Sequence, residues 1–171
     1  ITPDHLDRYD YKMENYSNSK FRMIQNQRPE DYFIYCLDDE ETVKALPRFE
    51  ITAQQLPMTQ DQIVAVGAYL DENKNLKINL PNRDEFEMNI EELSLQGKHN
   101  VYNNMASGLI AKVQELRNQS MKESMGSYVN ISHRLEHVAL IGGVNYINDS
   151  KATNVNSVWY ALESFSTDIV L

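Results

Sequence analysis

Residues 135–171 read LEHVALIGGVNYINDSKATNVNSVWYALESFSTDIVL, and this stretch decides the fold. Residues 135–141 and 144–148 are β-rich runs joined by Gly142-Gly143, the residue pair that suits a two-residue hairpin turn, whose central positions need φ above zero. Residues 149–154 form a polar loop, residues 155–165 a helix, and residues 169–171 the start of a further strand. Strand, loop, helix and strand make a βαβ unit, so the final thirty or so residues read as the opening of an α/β domain.

Working upstream, Gly97-Lys98-His99-Asn100 leads into a helix on which Val101, Met105, Leu109 and Val113 recur every four residues. Ser120-Met121-Lys122-Glu123 has the pattern of a capping box, with Gly126 as the helix stop. Residues 62–80 hold two β-rich runs around Asp71-Glu72-Asn73-Lys74-Asn75, and residues 86–90 alternate as a third strand. The region from about 52 to 90 therefore reads as a small antiparallel sheet. Residues 38–45 read as a short helix ending before Pro47, and residues 33–37 as a buried strand. Residues 11–25 are predicted helical, with Met13, Tyr16, Lys20 and Ile24 along one face.

The composition narrows the classes. The 171 residues carry 16 Lys and Arg against 25 Asp and Glu, a formal charge of −9, with no basic block. This argues against a protein that grips nucleic-acid phosphates. A single cysteine, Cys36, excludes an internal disulfide framework and suits a reducing compartment. No apolar run approaches the ~20 residues of a membrane span. The chain opens at Ile1 without methionine and stops within what reads as a strand, so the expectation is a segment of a larger protein.

Four clusters could carry chemistry. His5, beside Asp4 and Asp7, is either a solvated turn residue or a metal ligand. Lys20 either snorkels past a core edge or, after reaction with CO2, offers a carbamate oxygen to a hard cation. Asn100 could cap its helix, whereas Asn103, one turn on, is less needed for capping; together they could meet a nucleotide edge at a helix start. Asn148-Asp149-Ser150-Lys151-Ala152-Thr153-Asn154 follows a strand and precedes a helix, where open α/β sheets bind ligands. Arg134, just upstream, could reach a phosphate across a cleft or pair with Glu136. No G-x-x-x-x-G-K-[ST] or G-x-G-x-x-G occurs, so this chain carries no phosphate cradle of those kinds.

These stretches, TPDHLDRY at residues 2–9, Lys20 in the following helix, GKHNVYN at 97–103, HRLE at 133–136 and NDSKATN at 148–154, resemble the Mur ligases of peptidoglycan synthesis. They come in family order along the whole chain. The last is similar to the branch that adds D-glutamate to UDP-N-acetylmuramoyl-L-alanine. The resemblance implies an α/β fold: residues 1–131 as the latter part of a central ATP-binding domain, and residues 132–171 as the Rossmann-like opening of an amino-acid-receiving domain. It implies ATP and Mg²⁺, an acyl-phosphate intermediate, a bacterial cytoplasmic setting, and no nucleic-acid or membrane partner. It implies His5 and carbamylated Lys20 at the metal, Asn100 and Asn103 near the adenine nucleotide, and Arg134 on ATP phosphate. Asp149 would hold ribose, Lys151 the developing acyl phosphate, and Thr153 the incoming D-glutamate. Lys20 is expected to point inward toward that site. Lacking the cradle, the chain alone is expected to be inactive.

Three other readings stand beside it. A sister Mur or folylpolyglutamate-type ligase is disfavoured by residues 149–154, and a non-catalytic scaffold by the joint presence of His5, Lys20 and Arg134. A small metalloenzyme around Asp4, His5 and Asp7 lacks a second nearby histidine.

Overall fold

A computed structural model describes residues 1–3, 6–95, 97–129, 131–153, 155–165 and 167–171. The alternation in β1 (Tyr32–Cys36) sets the layout. Phe33 and Tyr35 face a cluster of Phe21, Ile24, Ala45 and Ala53, while Tyr32 and Ile34 face the larger core. Apolar on both faces, β1 is covered on both, as parallel strands require.

The sheet runs β1-β2-β3-β4-β5, with β2 at Gln54–Thr59, β3 at Gly67–Leu70, β4 at Asn75–Asn79 and β5 at Phe86–Asn89. The β1–β2 and β2–β3 pairs are parallel, and β3–β4 and β4–β5 antiparallel. The expected meander is present, but it is not a separate sheet: β3 joins β2 through Met58–Ala68 and Thr59–Tyr69. Pro57 supplies no N–H, and its carbonyl faces Gly67 just before that ladder begins. A Cβ on Gly67 would lie 2.2 Å from the Pro57 carbonyl oxygen, and φ there is 121°, so both space and conformation demand glycine.

Helices α3 (Lys98–Val113) and α4 (Asn118–Ser127) cover one face. Val101, Met105 and Leu109 meet Leu76, Ile78, Phe86 and Met88, joined by Met121 and Met125 from α4. Burying each large apolar side chain contributes about 2 kcal/mol. On the other side lie α1 (Met13–Phe21) and α2 (Glu40–Ala45); Asp39 caps α2, accepting from the Thr42 N–H at 2.8 Å. A separate two-stranded antiparallel sheet pairs β6 (Glu136–Ile141) with β7 (Val144–Asn148). Its turn has φ of 58° at Gly142 and 83° at Gly143, as the hairpin reading required. Helix α5 (Val155–Glu163) follows.

Three local expectations are corrected. Helix α4 begins at Asn118, so Ser120 lies inside it and there is no capping box; the inward pair Met121 and Met125 extends the helix through Gly126. Residues 169–171 pair with no strand among the described residues and are exposed. Asn100 does not cap α3: Gly97 is the N-cap, and Asn100 lies in the first turn, buried. No described helix is long and apolar enough to cross a membrane.

Candidate functional site

The loop after β7 is built by hydrogen bonds between two short segments. The Lys151 N–H donates to the His133 carbonyl at 2.9 Å, and the Leu135 N–H donates to Asp149 Oδ1 at 3.1 Å. The His133 N–H donates to Glu136 Oε2 at 2.8 Å, and Asn148 Nδ2 donates to the same oxygen at 3.2 Å. Asn148 Oδ1 accepts from the Ser150 N–H at 3.1 Å, closing an Asx turn at the end of the strand. His133 and Leu135 both adopt positive φ, 68° and 45°. Such non-glycine residues cost about 1–2 kcal/mol each. The cross-links just described hold them, and Arg134 between them.

Arg134, Leu135, Asp149 and Lys151 thus line a cleft of about 110 Å³, closed on one side by Ser157, Tyr160 and Ala161 of α5 and on the other by His99 of α3. Ser157, Tyr160 and Ala161 share one α5 face through their three- and four-residue spacing. The His99 and Tyr160 ring centroids are 5.3 Å apart. Burial pushes the His99 imidazole below its usual value, the Arg134 charge pushes it further down, and the Asp149 carboxylate opposes both. A neutral imidazole, two cations and a carboxylate therefore share this space. Its chemistry suits an anion carrying hydroxyls.

Of the residues singled out from sequence, the structure brings Arg134, Asp149 and Lys151 together. Thr153 lies over the next turn, lining a more open groove with Val155, Val158, Trp159 and Leu162. Asn103 is exposed and donates from Nδ2 to Asn100 Oδ1 at 3.2 Å, so the two asparagines are linked to each other. Glu136, considered as a partner for Arg134, is engaged by His133 and Asn148.

Lys20 departs from expectation. It is exposed and not aimed inward, with Nζ 5.2 Å from the Tyr16 ring centroid. The inward positions of α1 are Tyr16, Ser17 and Phe21, and a 3-10 turn at Arg22–Ile24 resets the phase before Ile24 is buried. Asp4 and His5 lie outside the described residues. Among the described residues no three His, Cys, Asp or Glu side chains converge as a metal site.

Sequence reasoning gave no role to His99 or Tyr160. For His99 a signal existed, since it sits inside the quoted GKHNVYN stretch; Tyr160 had only helical spacing. Asp38 was also missed. At the end of β1 it accepts from the Thr59 hydroxyl, the Gln60 N–H at 2.6 Å and the Tyr102 hydroxyl at 2.7 Å. Gln60 Nε2 in turn donates to the Lys98 carbonyl at 2.9 Å, which ties the strand ends to the first turn of α3. Burial, then the hydrogen bond and charge of Asp38, push the Tyr102 phenol well up, so it stays a donor.

Residues 1–111 match the family model described as the Mur ligase middle domain. The chain is 49% identical over 170 residues to UDP-N-acetylmuramoylalanine--D-glutamate ligase from Christiangramia forsetii, covering 99% of this chain and 38% of that protein. The protein of the same name from Cytophaga hutchinsonii is 45% identical, again over 38% of its length. The chain thus spans about 38% of the length of these curated relatives. Among solved structures, a pseudomurein peptide ligase type C from Methanothermus fervidus superposes with a TM-score of 0.68 at 16% identity, covering 97% of this chain and 40% of that one. MurF from Acinetobacter baumannii gives 0.63 at 15% identity, covering 88% of this chain and 32% of that one. Matched along most of its length by the family's middle-domain model, the chain belongs to the Mur ligase family.

Proposed function

We propose that this chain is the part of a bacterial UDP-N-acetylmuramoyl-L-alanine:D-glutamate ligase that faces ATP phosphate and the incoming amino acid. In this reading residues 1–131 belong to the central ATP-binding domain and residues 132–171 open the amino-acid-receiving domain. The observation that carries the proposal is the cleft in which Arg134 and Lys151 converge beside Asp149, against the first turn of α3. The names of the relatives supply the substrate class.

In the proposed reaction a carboxylate oxygen of UDP-N-acetylmuramoyl-L-alanine attacks the γ-phosphorus of ATP, the bond to the β–γ bridging oxygen breaks, and ADP leaves. The D-glutamate amine then attacks the acyl carbon, loses a proton, and inorganic phosphate departs. Both steps gather negative charge, which fixed cations offset most strongly in a cleft shielded from water. Arg134 is assigned to ATP phosphate and Lys151 to the developing acyl phosphate. Asp149 already accepts one backbone N–H. A carboxylate has capacity for further donors, so ribose hydroxyls fit it. Asn100 and Asn103 are assigned to the nucleotide edge and Thr153 to D-glutamate. The described residues offer no ligand cluster for Mg²⁺. The assignment of His5 and carbamylated Lys20 to that ion therefore rests on the resemblance, and no step here runs through it. Such a ligase works in the cytoplasm, where ATP and UDP-linked precursors are found.

The test is phosphate release by the full-length ligase with ATP, UDP-N-acetylmuramoyl-L-alanine and a panel of amino acids. D-glutamate should be the preferred acceptor, and preference for another amino acid would overturn the assignment. Arg134→Ala should raise the ATP requirement more than the D-glutamate requirement; equal losses would remove its role. Lys20→Ala should cut turnover strongly with folding intact, and a wild-type rate would remove the carbamate. The 171-residue chain alone should give no turnover.

A further inference from the structure

Two side chains in the cleft remain without a role in that reaction, and they come from opposite walls. His99 sits in the first turn of α3, two residues after the N-cap Gly97, and Tyr160 sits on α5. Their rings meet at 5.3 Å between centroids with planes 37° apart. The residues flanking these helices also approach, where the Ser164 hydroxyl, just past α5, lies 3.8 Å from the position a Cβ on the N-cap Gly97 would take. The body of α3 is fixed by the sheet, through Val101, Met105 and Leu109 in the core and the Gln60 bond to the Lys98 carbonyl. Helix α5 contributes no residue to the two buried core clusters, and its Val155 is 82% and Trp159 61% exposed.

We propose that the His99–Tyr160 ring contact is a positioning latch, which holds α5 and its preceding loop against α3 and so sets the distance between Arg134 and Lys151 on one wall and the Asn100–Asn103 pair on the other. The role rests on the proposed ligase reading for its consequence in catalysis, but not for its geometry. Neither residue is assigned to a reacting atom.

Burial and the neighbouring Arg134 favour the neutral form of the latch imidazole. The charged and titratable groups facing His99 are Arg134 before β6, Asp149 and Lys151 in the loop, and Tyr160 on α5. Two of these are cations and one is an anion, so a protonated His99 would add a third positive charge to a partly buried space. Burial acts in the same direction, holding the imidazole below its usual value. The latch is therefore closed at and above neutral pH and released as the pH falls through the lowered value for His99.

The first test is nuclear magnetic resonance on the isotopically labelled 171-residue chain. Ring-proton cross-peaks between His99 and Tyr160 should appear at about pH 8 and fade as the pH is lowered and His99 titrates. Tyr160→Phe should keep the ring contact. His99→Gln and Tyr160→Ala should shift the backbone amides of Arg134 and Lys151 while leaving those of Leu76 and Met88 in place. Absence of the cross-peaks at the higher pH, or unmoved Arg134 and Lys151 amides in both variants, would overturn the latch.

The second test uses the full-length ligase. His99→Gln and Tyr160→Ala should raise KM for ATP by about tenfold with kcat within about twofold, and Tyr160→Phe should restore the wild-type value. A fall in kcat with unchanged KM would overturn the positioning role. Failure of the wild-type ligase to use D-glutamate would overturn the substrate reading instead, leaving the latch to be decided by the ring cross-peaks.

Discussion

The sheet with its four helices and the hairpin with α5 are built on different terms. In the first, Leu56, Leu76, Ile78, Phe86, Met105 and Leu109 are almost wholly removed from water. In the second, Val138, Leu140, Val144 and Tyr146 are each at least half exposed, although their strands pair along their length apart from a bulge at Val138. Hydrogen bonding and turn chemistry shape the hairpin; packing shapes the sheet. Order can therefore be local in one region and cooperative in the other, and substitutions should separate them.

The largest effect is expected from Phe86→Ala, which empties a fully buried site between sheet and helices and should destabilise the body by about 4 kcal/mol. A denaturant titration followed by far-UV circular dichroism measures it; a loss below about 1 kcal/mol would mean that the core is not the cooperative unit described. Next is Gly67→Ala, which sets a methyl against the Pro57 carbonyl oxygen at positive φ. Backbone strain and overpacking together should cost about 3 kcal/mol, read in the same titration. Both should act on the body first.

Asp149→Ala sharpens the contrast from the other side. It removes the acceptor for the Leu135 N–H and frees a strained segment, a local loss of about 1 kcal/mol. Hydrogen exchange at Leu135 and Lys151 should quicken, while amides of β4 and β5 keep their protection. Equal quickening in both regions would mean that the two are one cooperative unit.

The smallest expected effect is a matter of pH. Asp71 in the β3–β4 turn accepts from the Asn75 N–H at 2.8 Å, the Asn73 N–H at 2.9 Å and Asn75 Nδ2. These bonds, the Asn75 N–H foremost, hold its carboxyl below the usual value against the opposing effect of desolvation. A depressed folded value means that the contribution is present above the ordinary carboxylate range near ~4 and is lost as pH falls through the depressed value. Thermal melts of Asp71→Asn should accordingly show a shallower acid limb than wild type, and superimposable limbs would remove Asp71 as a contributor.

The same contrast explains what could be read from sequence. The hairpin was legible because Gly142-Gly143 states its turn within two residues. Helix α3 was legible because its four-residue repeat survives intact. Strand β2 was not assigned, because QQLPMT has proline where a central strand would be penalised; only the neighbouring Gly67, distant in sequence, makes room for it. Ser120 misled for a related reason: a capping pattern four residues long was outweighed by two methionines that bind α4 to the core. Among the candidate site residues, Arg134, Asp149 and Lys151 were legible as short motifs flanking one hairpin. His99 and Tyr160 lie some sixty residues apart and meet only through tertiary packing. Lys20 was misjudged by a helical phase that does not continue past Phe21.

The position of Trp159 has an optical consequence. It is the chain's sole tryptophan, and on α5 it stands 61% exposed, away from the sheet. Its emission in the folded state should already be red-shifted, and unfolding of the sheet should barely move it. Intrinsic tryptophan fluorescence, the usual monitor of a melt, would then report on the end of one helix while the tyrosines and the far-ultraviolet signal carry the transition of the core. Two midpoints from a single sample would be a property of where the chromophore sits.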